Sequence, residues 1–468
     1  MRHLGPLDAQ FVDAEDSEAQ TSMAIASIAI FEGPPPGYDE FLTAIAGRLA
    51  DVPIYRRKLR RVPLRLGPPV WSDDPHFDLR YHVRHTALPA PGGDTELSSL
   101  MARVMGQRLD RDYPLWEYWL VEGLRDNQWA LISKVHHAMV DGVAGTDLYR
   151  VIFDATPEPT PPGAPPADEA ARPPSSLALA VQAGLDLMVL PAKSALAIRG
   201  ALARPAATVR QLASTAQAAA KLATVARPAP ASSLNGPIGR QRRYAWARAA
   251  LADIKLIKNE LGGTVNDVVL AAITSAYREL LLSRGEEPVA RMVPSLVPVS
   301  LRAPGEEGGF ENLISVLVAE LPVEVADPAE RLARVSAEMA GLKSAREALA
   351  AEALVAVGRY TPYPLASLVV RLGYRLPQRE VVTVTTNVPG PRQPIYSLGR
   401  RLIEIIPYVP IATSLRSGVS IFSYCDRVTF GVTADYASVP DIALLAEGIE
   451  KGIAELLAIA GVAGHQAS

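Results

Sequence analysis

The chain has 468 residues, of which 49% are hydrophobic and 21% are charged, and its formal net charge is −3. This length exceeds what one hydrophobic core organises, so two domains are expected, and the near-neutral charge excludes a global attraction to nucleic acid or to an anionic membrane. The one cysteine, Cys425, excludes an internal disulfide framework, fits a reducing cytosol and lies in a strand-like segment.

Neither a secretory leader nor a membrane span is expected. The N-terminal segment "MRHLGPLDAQFVDAEDSEAQ" is acidic where a leader would be basic and then apolar. The longest apolar run, "SSLALAVQAGLDLMVLPAKSALAI", is interrupted by Asp186, Pro191 and Lys193. No charge-free run reaches the ~18 residues that a membrane helix needs.

Residues 1–155 mix strand-like and helical segments. "SMAIASIAIFEG" and "WALISKVHH" alternate as strands do, whereas "YDEFLTAIAGRLA" and "LSSLMARVMGQRL" have helical spacing. Residues 155–176 are rich in Pro, Ala and Glu and predict a linker. Residues 177–226 are Ala-rich with helical spacing, which predicts one or two crossover helices.

The second half begins with two helical segments, and Thr264 or Asn266 is expected to cap the longer one, "TVNDVVLAAITSAYRELLLSRG". Strand-like runs follow: "LISVLVAELPVEV", "EVVTVTTNV" and "SGVSIFSYCDRVTFGVTAD". We therefore predict an α/β (α+β) fold of two mixed halves, residues 1–155 and 241–468. A Pro/Ala-rich linker with crossover helices, residues 156–240, joins them.

Two adjacent histidines, His136 and His137, stand at the end of the strand-like run "WALISKVHH" and precede Asp141 and Gly142. Strand alternation predicts that the two rings point in opposite directions, with His137 at the end of the strand. A neutral imidazole with a pKa near ~6.5 can take a proton from a hydroxyl, so His137 is a candidate general base. Asp141 can fix the loop or the ring without accepting the substrate's proton.

Three simpler interpretations compete with this one. A histidine on an apolar strand face is usually a hydrogen-bonded core residue, and Asp141 can be a helix N-cap in a protein of any function. His136, His137 and Asp141 are also possible metal ligands by residue type. Opposed ring directions and the lack of further ligands argue against a metal site.

"HHAMVDG" resembles the HHxxxDG motif of acyl-CoA-dependent acyltransferases in the chloramphenicol acetyltransferase-like superfamily. The surrounding blocks are similar to those of the bacterial wax ester synthase/diacylglycerol acyltransferase family. They are "LGPLDAQFVDAED", the PLW element at Pro114, Leu115 and Trp116, the ND element at Asn266 and Asp267, "VPVSLR", "NLISVLVAELP" and "TTNVPGP". The resemblance runs from about residue 4 to residue 445.

The resemblance implies two chloramphenicol acetyltransferase-like domains, each a mixed sheet flanked by helices, with the active site at their interface. It implies His137 as the catalytic base, Asp141 as structural support and His136 as a weaker catalytic candidate, with no metal. The PLW and ND residues would support the motif, with Trp116 packing under the site. The residues that could contact the substrate or the oxyanion are Gly142, Asn266, Thr385, Thr386 and Asn387.

The resemblance implies an enzyme that transfers a fatty acyl group from acyl-CoA to diacylglycerol, and also to long-chain alcohols to give wax esters. It needs no cofactor beyond acyl-CoA as co-substrate. It would be cytoplasmic and peripheral to a membrane or lipid inclusion, with no nucleic-acid partner. Two alternatives stay open: the same fold acylating another alcohol, polyketide-type or short-chain, and a lipid-inclusion coat protein of weak activity. The absence of a G-x-S-x-G motif argues against a lipase.

The basic run "RRKLRRVPLR" contains Arg56, Arg57, Lys58, Arg60, Arg61 and Arg65. It can bind CoA phosphates or an anionic lipid surface, or it can be a solvated face. Helical stretches within residues 177–226 can lie on a lipid surface or act as a domain linker.

Overall fold

The computed structural model describes residues 2–140, 152–159, 175–185, 228–300, 314–347 and 380–466, together with residues 161, 188, 364 and 367. Within these ranges the helices are α1 (Pro6–Ser17), α2 (Tyr38–Arg48), α3 (Leu79–His82), α4 (Asp94–Met105), α5 (His137–Val140), α6 (176–185), α7 (Leu251–Leu261), α8 (Val265–Ser283), α9 (Pro328–Glu347) and α10 (Ile442–Gln466). Residues Pro53–Arg56 and Pro63–Arg65 form short 3-10 turns.

The strands are β1 (Arg2–His3), β2 (Ala24–Glu32), β3 (Arg57–Arg60), β4 (Val70–Asp73), β5 (Val83–Ala87), β6 (Trp116–Leu124), β7 (Gln128–His136), β8 (Arg242–Ala250), β9 (Val293–Ser300), β10 (Ile314–Leu321), β11 (Thr383–Pro389), β12 (Tyr396–Ser397), β13 (Arg400–Tyr408), β14 (Ser417–Tyr424) and β15 (Arg427–Asp435). They form two six-stranded sheets and a small sheet of three strands in the order β1-β4-β3.

The first six-stranded sheet has the order β12-β13-β2-β7-β6-β5 and is mixed, because β5 and β6 are parallel while the other pairs are antiparallel. Strand β7 is interior and pairs with β2 and β6 over most of its length. Its Trp129, Leu131 and Ile132 are buried, so residues on both faces of the strand pack in the core. Burial on both faces holds the end of this strand firmly in place.

The second six-stranded sheet has the order β10-β9-β11-β14-β15-β8 and is also mixed, with β11 parallel to both of its neighbours. Helix α8 covers it, and every residue from Val268 to Tyr277 is buried. Helices α8 and α10 pack closely, since Gly448 and Gly452 leave room for Ala276 and Ala272 of α8. The predicted fold class, mixed sheets flanked by helices, is confirmed.

Strand β13 joins the two halves. It pairs with β2 of the first sheet although the two strands are separated by most of the chain. The carbonyl of its Pro407 accepts hydrogen bonds from Tyr244 Oη at 2.6 Å and Ser420 Oγ at 2.8 Å, both in the second sheet. The division at residues 155 and 241 stays a prediction, and the first sheet is completed by strands from beyond residue 241.

One local prediction was wrong, and one open alternative is resolved. Cys425 was expected within a strand, but β14 ends at Tyr424 and Cys425 occupies the turn before β15, with φ of 50°. The long helix α8 has one cap where two were considered. Thr264 is the N-cap, whereas Asn266 already lies inside the helix.

No helix among the described residues combines the length and the apolar character needed to cross a membrane.

Lys134 of β7 is buried and uses its ammonium group within the protein, donating to the carbonyls of Val104 at 2.9 Å and Gln107 at 2.7 Å. These carbonyls lie at the C-terminal end of α4, where cations are favoured. Burial lowers the pKa of Lys134.

We expect the Thr264→Val variant to be less stable than the wild type by about 1 kcal/mol, because the hydroxyl of Thr264 accepts the backbone N–H of Asp267 and caps α8. Equilibrium denaturation measures the difference. The matched control is Thr43→Val, an exposed position inside α2, which should change stability by no more than about 0.5 kcal/mol. Equal effects at the two positions would contradict a capping role for Thr264.

Candidate active site

The histidine pair marks the boundary between a strand and a helix. Strand β7 ends at His136, and His137 is the first residue of α5. The prediction that His137 ends the strand was therefore wrong, and strand alternation does not govern the direction of its ring. Both rings contact helix α1, one through Glu15 and the other through Phe11.

His136 is buried and both of its ring nitrogens are engaged. Nδ1 accepts the backbone N–H of Ala138 at 3.1 Å, so it carries no proton. Nε2 lies 3.4 Å from the carboxylate of Glu15, which is also buried. A proton on Nε2 is compatible with both contacts. Both ring nitrogens of His136 therefore face groups of the protein itself.

Glu15 is an ionised carboxylate inside the protein. Burial by itself raises its pKa, but the hydrogen bond and the charge interaction with His136, together with those of Arg111, outweigh burial and lower the pKa to about 2. Arg111 pairs with Glu15 through Nη2 and with Asp16 through Nη1 at 2.7 Å. A buried carboxylate is tolerated only when it is paired in this way.

His137 is half-buried and is held on two sides. Its ring stacks on Phe11 with centroids 3.9 Å apart and an interplanar angle of 25°, and its backbone N–H donates to the carbonyl of Met23 at 3.0 Å. These contacts fix the plane of the imidazole at the first turn of α5. Asp141 and Gly142, which complete the motif, lie outside the described residues.

The PLW element lies directly beside the histidines. The carbonyl of Leu115 accepts the backbone N–H of His136 at 2.9 Å. Trp116 is buried, donates from Nε1 to the carbonyl of Tyr55 at 2.8 Å, and stacks on His82 with centroids 4.6 Å apart. Pro114 is buried as well. In this structure these residues pack and align the end of β7.

The ND and TTN elements meet in the second half of the protein. Asn387 of β11 donates from Nδ2 to Oδ1 of Asn266 at 3.2 Å. Asp267 accepts the backbone N–H of Thr264 at 2.8 Å and completes the cap of α8. The two candidate asparagines are therefore brought together by α8 lying along β11.

Alternation along β11 separates the remaining candidates in this segment. Thr385 shares the α8 side with Asn387, is buried, and exchanges a hydrogen bond with Ser295 at 2.8 Å between hydroxyl oxygens. Thr386 points to the opposite face and is half-buried. Thr386 and Asn387 therefore do not lie on one surface of the sheet.

The end of α1 and the loop after it touch the second half of the protein. The carbonyl of Gln20 accepts Arg242 Nη2 at 2.8 Å, and the carboxylate of Glu18 accepts the backbone N–H of Thr413 at 3.2 Å. Arg242 belongs to β8 and Thr413 to the β13–β14 connection. The helix that holds the histidine pair thus reaches the boundary between the two sheets.

The basic run is largely engaged within the protein. Arg57 and Lys58 pair with Asp73 at 2.9 Å and Asp74 at 3.0 Å, and Arg61 pairs with Asp16 at 2.6 Å. The guanidinium group of Arg56 lies 5.8 Å from the centre of the Phe77 ring. Nη2 of Arg65 lies 4.0 Å from Oδ2 of Asp16. Arg61 and Arg65 thus tie the segment after β3 to α1, and their side chains stay partly exposed.

A cleft of about 930 Å³ opens between α4, β8 and α10, but no predicted site residue lines it. Its wall mixes cations such as Arg103 and Arg243 with acids such as Glu447 and Glu450. Within the described part of the chain, no cluster of three or more His, Cys, Asp or Glu side chains is arranged to hold a metal ion.

Sequence reasoning missed Phe11, Glu15 and Arg111. Phe11 and Glu15 are four residues apart, one turn of α1, which places them on one face of the helix. The block "LGPLDAQFVDAED" contained both residues, but their roles depend on the contact between α1 and the start of α5. Arg111 precedes the PLW element by three positions and gave no separate signal.

We expect Glu15→Gln to lower the free energy of unfolding by about 3 kcal/mol at pH 7, because the carboxylate titrates near 2 in the folded protein and near 4.5 unfolded. This stabilisation is complete above pH 4.5 and is lost as the pH falls toward 2. The difference in unfolding free energy between wild type and Glu15→Gln should therefore be smaller at pH 3.5 than at pH 7 by about 1 kcal/mol. Denaturation at both pH values measures it.

The matched control for this prediction is Asp39→Asn, whose side chain is 83% exposed and pairs only at the surface, with Arg80. It should leave stability nearly unchanged at both pH values. If the gap for Glu15→Gln stayed constant between pH 7 and pH 3.5, the depressed pKa would be refuted.

Two domain profiles match the chain. The wax ester synthase/diacylglycerol acyltransferase catalytic domain matches residues 4–269, and the C-terminal domain of the same family matches residues 310–457. The chain is 40% identical over 459 residues to a probable diacylglycerol O-acyltransferase, tgs1, of Mycobacterium tuberculosis, covering 98% of this chain and 96% of the relative. A putative diacylglycerol O-acyltransferase of the same organism is 32% identical, with 98% and 92% covered.

Solved structures agree. The wax ester synthase/diacylglycerol acyltransferase of Marinobacter aquaeolei VT8 has 28% identity and a TM-score of 0.69, covering 98% of this chain and 100% of that chain. A starter condensation domain of rhizomide synthetase, solved with C8-CoA, has 16% identity and a TM-score of 0.58, covering 98% and 94%, and shows the shared fold. By profile, sequence and fold, the chain belongs to the wax ester synthase/diacylglycerol acyltransferase family.

Proposed function

We propose that this protein is an acyl-CoA-dependent diacylglycerol O-acyltransferase that makes triacylglycerol, and that it also esterifies long-chain alcohols to wax esters. The observation that carries the proposal is the way α1 holds the histidine pair. Glu15 and Ala138 engage both nitrogens of His136, while Phe11 fixes the ring of the half-buried His137. We therefore assign His137 to catalysis and His136 to structure.

The reaction needs one base and one charge stabiliser. An acyl-CoA thioester is already activated, so an alcohol can attack its carbonyl carbon without a covalent enzyme intermediate. His137 takes the hydroxyl proton as the new C–O bond forms. When the C–S bond breaks, the same proton passes to the departing sulfur, and the products are an ester and free CoA.

The negative charge on the thioester oxygen requires a hydrogen-bond donor, and loss of one such donor typically costs ~10²–10³ in rate. The Asn266–Asn387 pair is our candidate. Their mutual hydrogen bond uses one carbonyl and one N–H, so the amide nitrogen of Asn266 keeps its donors for a substrate. Thr386, on the other face of β11, and Gly142 remain alternatives. Asp141 is assigned to loop support by its place in the motif.

The acceptor proposal follows the relatives. The Mycobacterium tuberculosis relative is named as a probable diacylglycerol O-acyltransferase, and the Marinobacter structure carries both activities in its name. Diacylglycerol and long-chain alcohols are lipids, so an enzyme that uses them must reach a lipid surface. We therefore propose peripheral contact with a membrane or lipid inclusion, in the cytoplasm, where a lone unpaired cysteine persists.

We expect purified wild type to convert labelled palmitoyl-CoA with diacylglycerol or hexadecanol to ester, and His137→Ala to be slower by about 10²–10⁴, the contribution of a general base. The assay is separation of labelled lipid products after short incubations. His76→Ala, an exposed histidine outside the site, is the matched control and should match wild type.

Three outcomes of this assay contradict parts of the proposal. Ester formation by His137→Ala at the wild-type rate removes the base mechanism. Activity only with short-chain or polyketide-type alcohols changes the acceptor. Absence of ester from wild type with every acceptor supports a lipid-coat protein instead.

We expect the rate of the chemical step to fall below neutral pH as His137 becomes protonated, since only the neutral ring accepts the hydroxyl proton. The profile of kcat/KM between pH 5 and 8 tests this. A flat profile, recorded under conditions where chemistry limits the rate, would rule out a histidine base.

A further inference from the structure

Helix α6 is docked on the first half of the protein by one face. Leu179 and Ala183, one turn apart, are 2% and 5% exposed. The methyl group of Ala183 lies 3.4 Å from the place where a Cβ on Gly67 would stand. Ser175 caps the helix, accepting the backbone N–H of Ala178 at 3.1 Å. Leu179 and Ala183 therefore define the inner face of α6, and the opposite face of the helix points to solvent.

The outer face of α6 is apolar where a surface helix is normally charged. Leu177, Val181 and Leu185 are 74%, 54% and 57% exposed, and Met188 just beyond them is 79% exposed. Their spacing of four, four and three positions puts them in one stripe. Residues 175–185 contain no charged side chain. A contiguous exposed apolar stripe of this kind marks an interaction surface.

A further exposed apolar side chain lies close in sequence to the segment that contacts α6. Leu64 is 88% exposed, and its backbone has φ of 52°, followed by Arg65 with φ of 55°. Non-glycine residues rarely adopt this left-handed conformation, and two in succession hold a leucine out in solvent. Gly67, which contacts α6, lies three residues away. We call Leu64, Leu177, Val181, Leu185 and Met188 the docking face.

Cations border the docking face. Arg60 Nη2 lies 3.5 Å from Oγ of Ser176 at the start of α6, and the side chains of Arg61 and Arg65 are 52% and 38% exposed. Arginines beside exposed leucines match a surface with an anionic headgroup layer above an apolar interior. An apolar interface between two copies of a protein has no need of this cationic border.

The cationic border of the docking face also contacts the helix that holds the histidines. Arg61 pairs with Asp16 of α1, and Asp16 is the neighbour of Glu15. A lipid surface at this face therefore lies next to the element that orients His137. Such a position suits an enzyme whose acceptor is drawn from a bilayer.

We propose that the docking face inserts into the surface of an anionic phospholipid bilayer while the neighbouring arginines contact its headgroups. The inference rests on the proposed function, because an enzyme with a lipid acceptor needs a surface that meets the membrane. It adds which surface meets the membrane and which lipid charge that surface prefers.

The test is flotation of the full-length protein with vesicles of phosphatidylcholine alone or of phosphatidylcholine with phosphatidylglycerol. The test variants are Leu64→Gln and the triple substitution Leu177→Gln, Val181→Gln, Leu185→Gln. The matched control is Leu256→Gln with Leu282→Gln, two leucines of the second half that are 42% and 50% exposed. All proteins are also assayed for ester formation with substrates in detergent micelles.

We expect wild type to bind anionic vesicles more strongly than neutral ones, with binding weakened by salt because surface charges are screened. The triple variant should lose about tenfold or more in binding, Leu64→Gln less, and the control nothing. Activity in micelles should stay at the wild-type level in every variant. The micelle assay separates membrane docking from the proposed function. If wild type made no ester in micelles, the proposed function would be refuted, while the vesicle-binding result would still test the docking face.

Two results would overturn the inference. One is equal vesicle binding by wild type and the triple variant. The other is a wild-type dimer, seen by light scattering, that the triple variant converts to monomer without any change in vesicle binding. That result would assign the docking face to a second copy of this chain.

Discussion

The contact between α1 and the histidine pair is the interaction on which the site depends. Phe11 and Glu15 are one helical turn apart, so a single helix face meets both rings. Glu15 is buried and charged, a state that is stable only because Arg111 and His136 surround it. The ion pair between Glu15 and Arg111 restricts where α1 can lie. The ring of Phe11, on the same helix, stacks on His137 and so holds that imidazole in place.

The two sheets then set where this imidazole stands. Strand β13 hydrogen-bonds to β2 and receives side-chain hydrogen bonds from the second sheet, so the halves are held against each other over the length of a strand. The loop after α1 adds the contact of Gln20 with Arg242. The first sheet, with the proposed base His137, is thereby held against the half that carries Asn266 and Asn387.

Local signals in the sequence predicted most elements and the fold class. Alternation located β2, β7, β14 and β15, and capping chemistry located the start of α8 at Thr264. Long-range pairings left no such signal: nothing in "RRLIEIIPY" indicates that this strand joins β2, or that Glu15 meets His136 across 121 positions of sequence. The direction of His137 was missed because the strand ends one residue earlier than its apolar pattern. The motif singled out His136 and His137 as candidates, whereas packing determined what each one contacts.

Nitrogen-15 NMR of histidine-labelled protein tests the central claim most directly, with His136→Asn and His137→Ala used to assign the two rings. The account predicts that, at neutral pH, His136 has an unprotonated Nδ1 and a protonated Nε2, with the latter perturbed by Glu15→Gln. A protonated Nδ1 on His136, or a His136 signal indifferent to Glu15→Gln, would contradict the account.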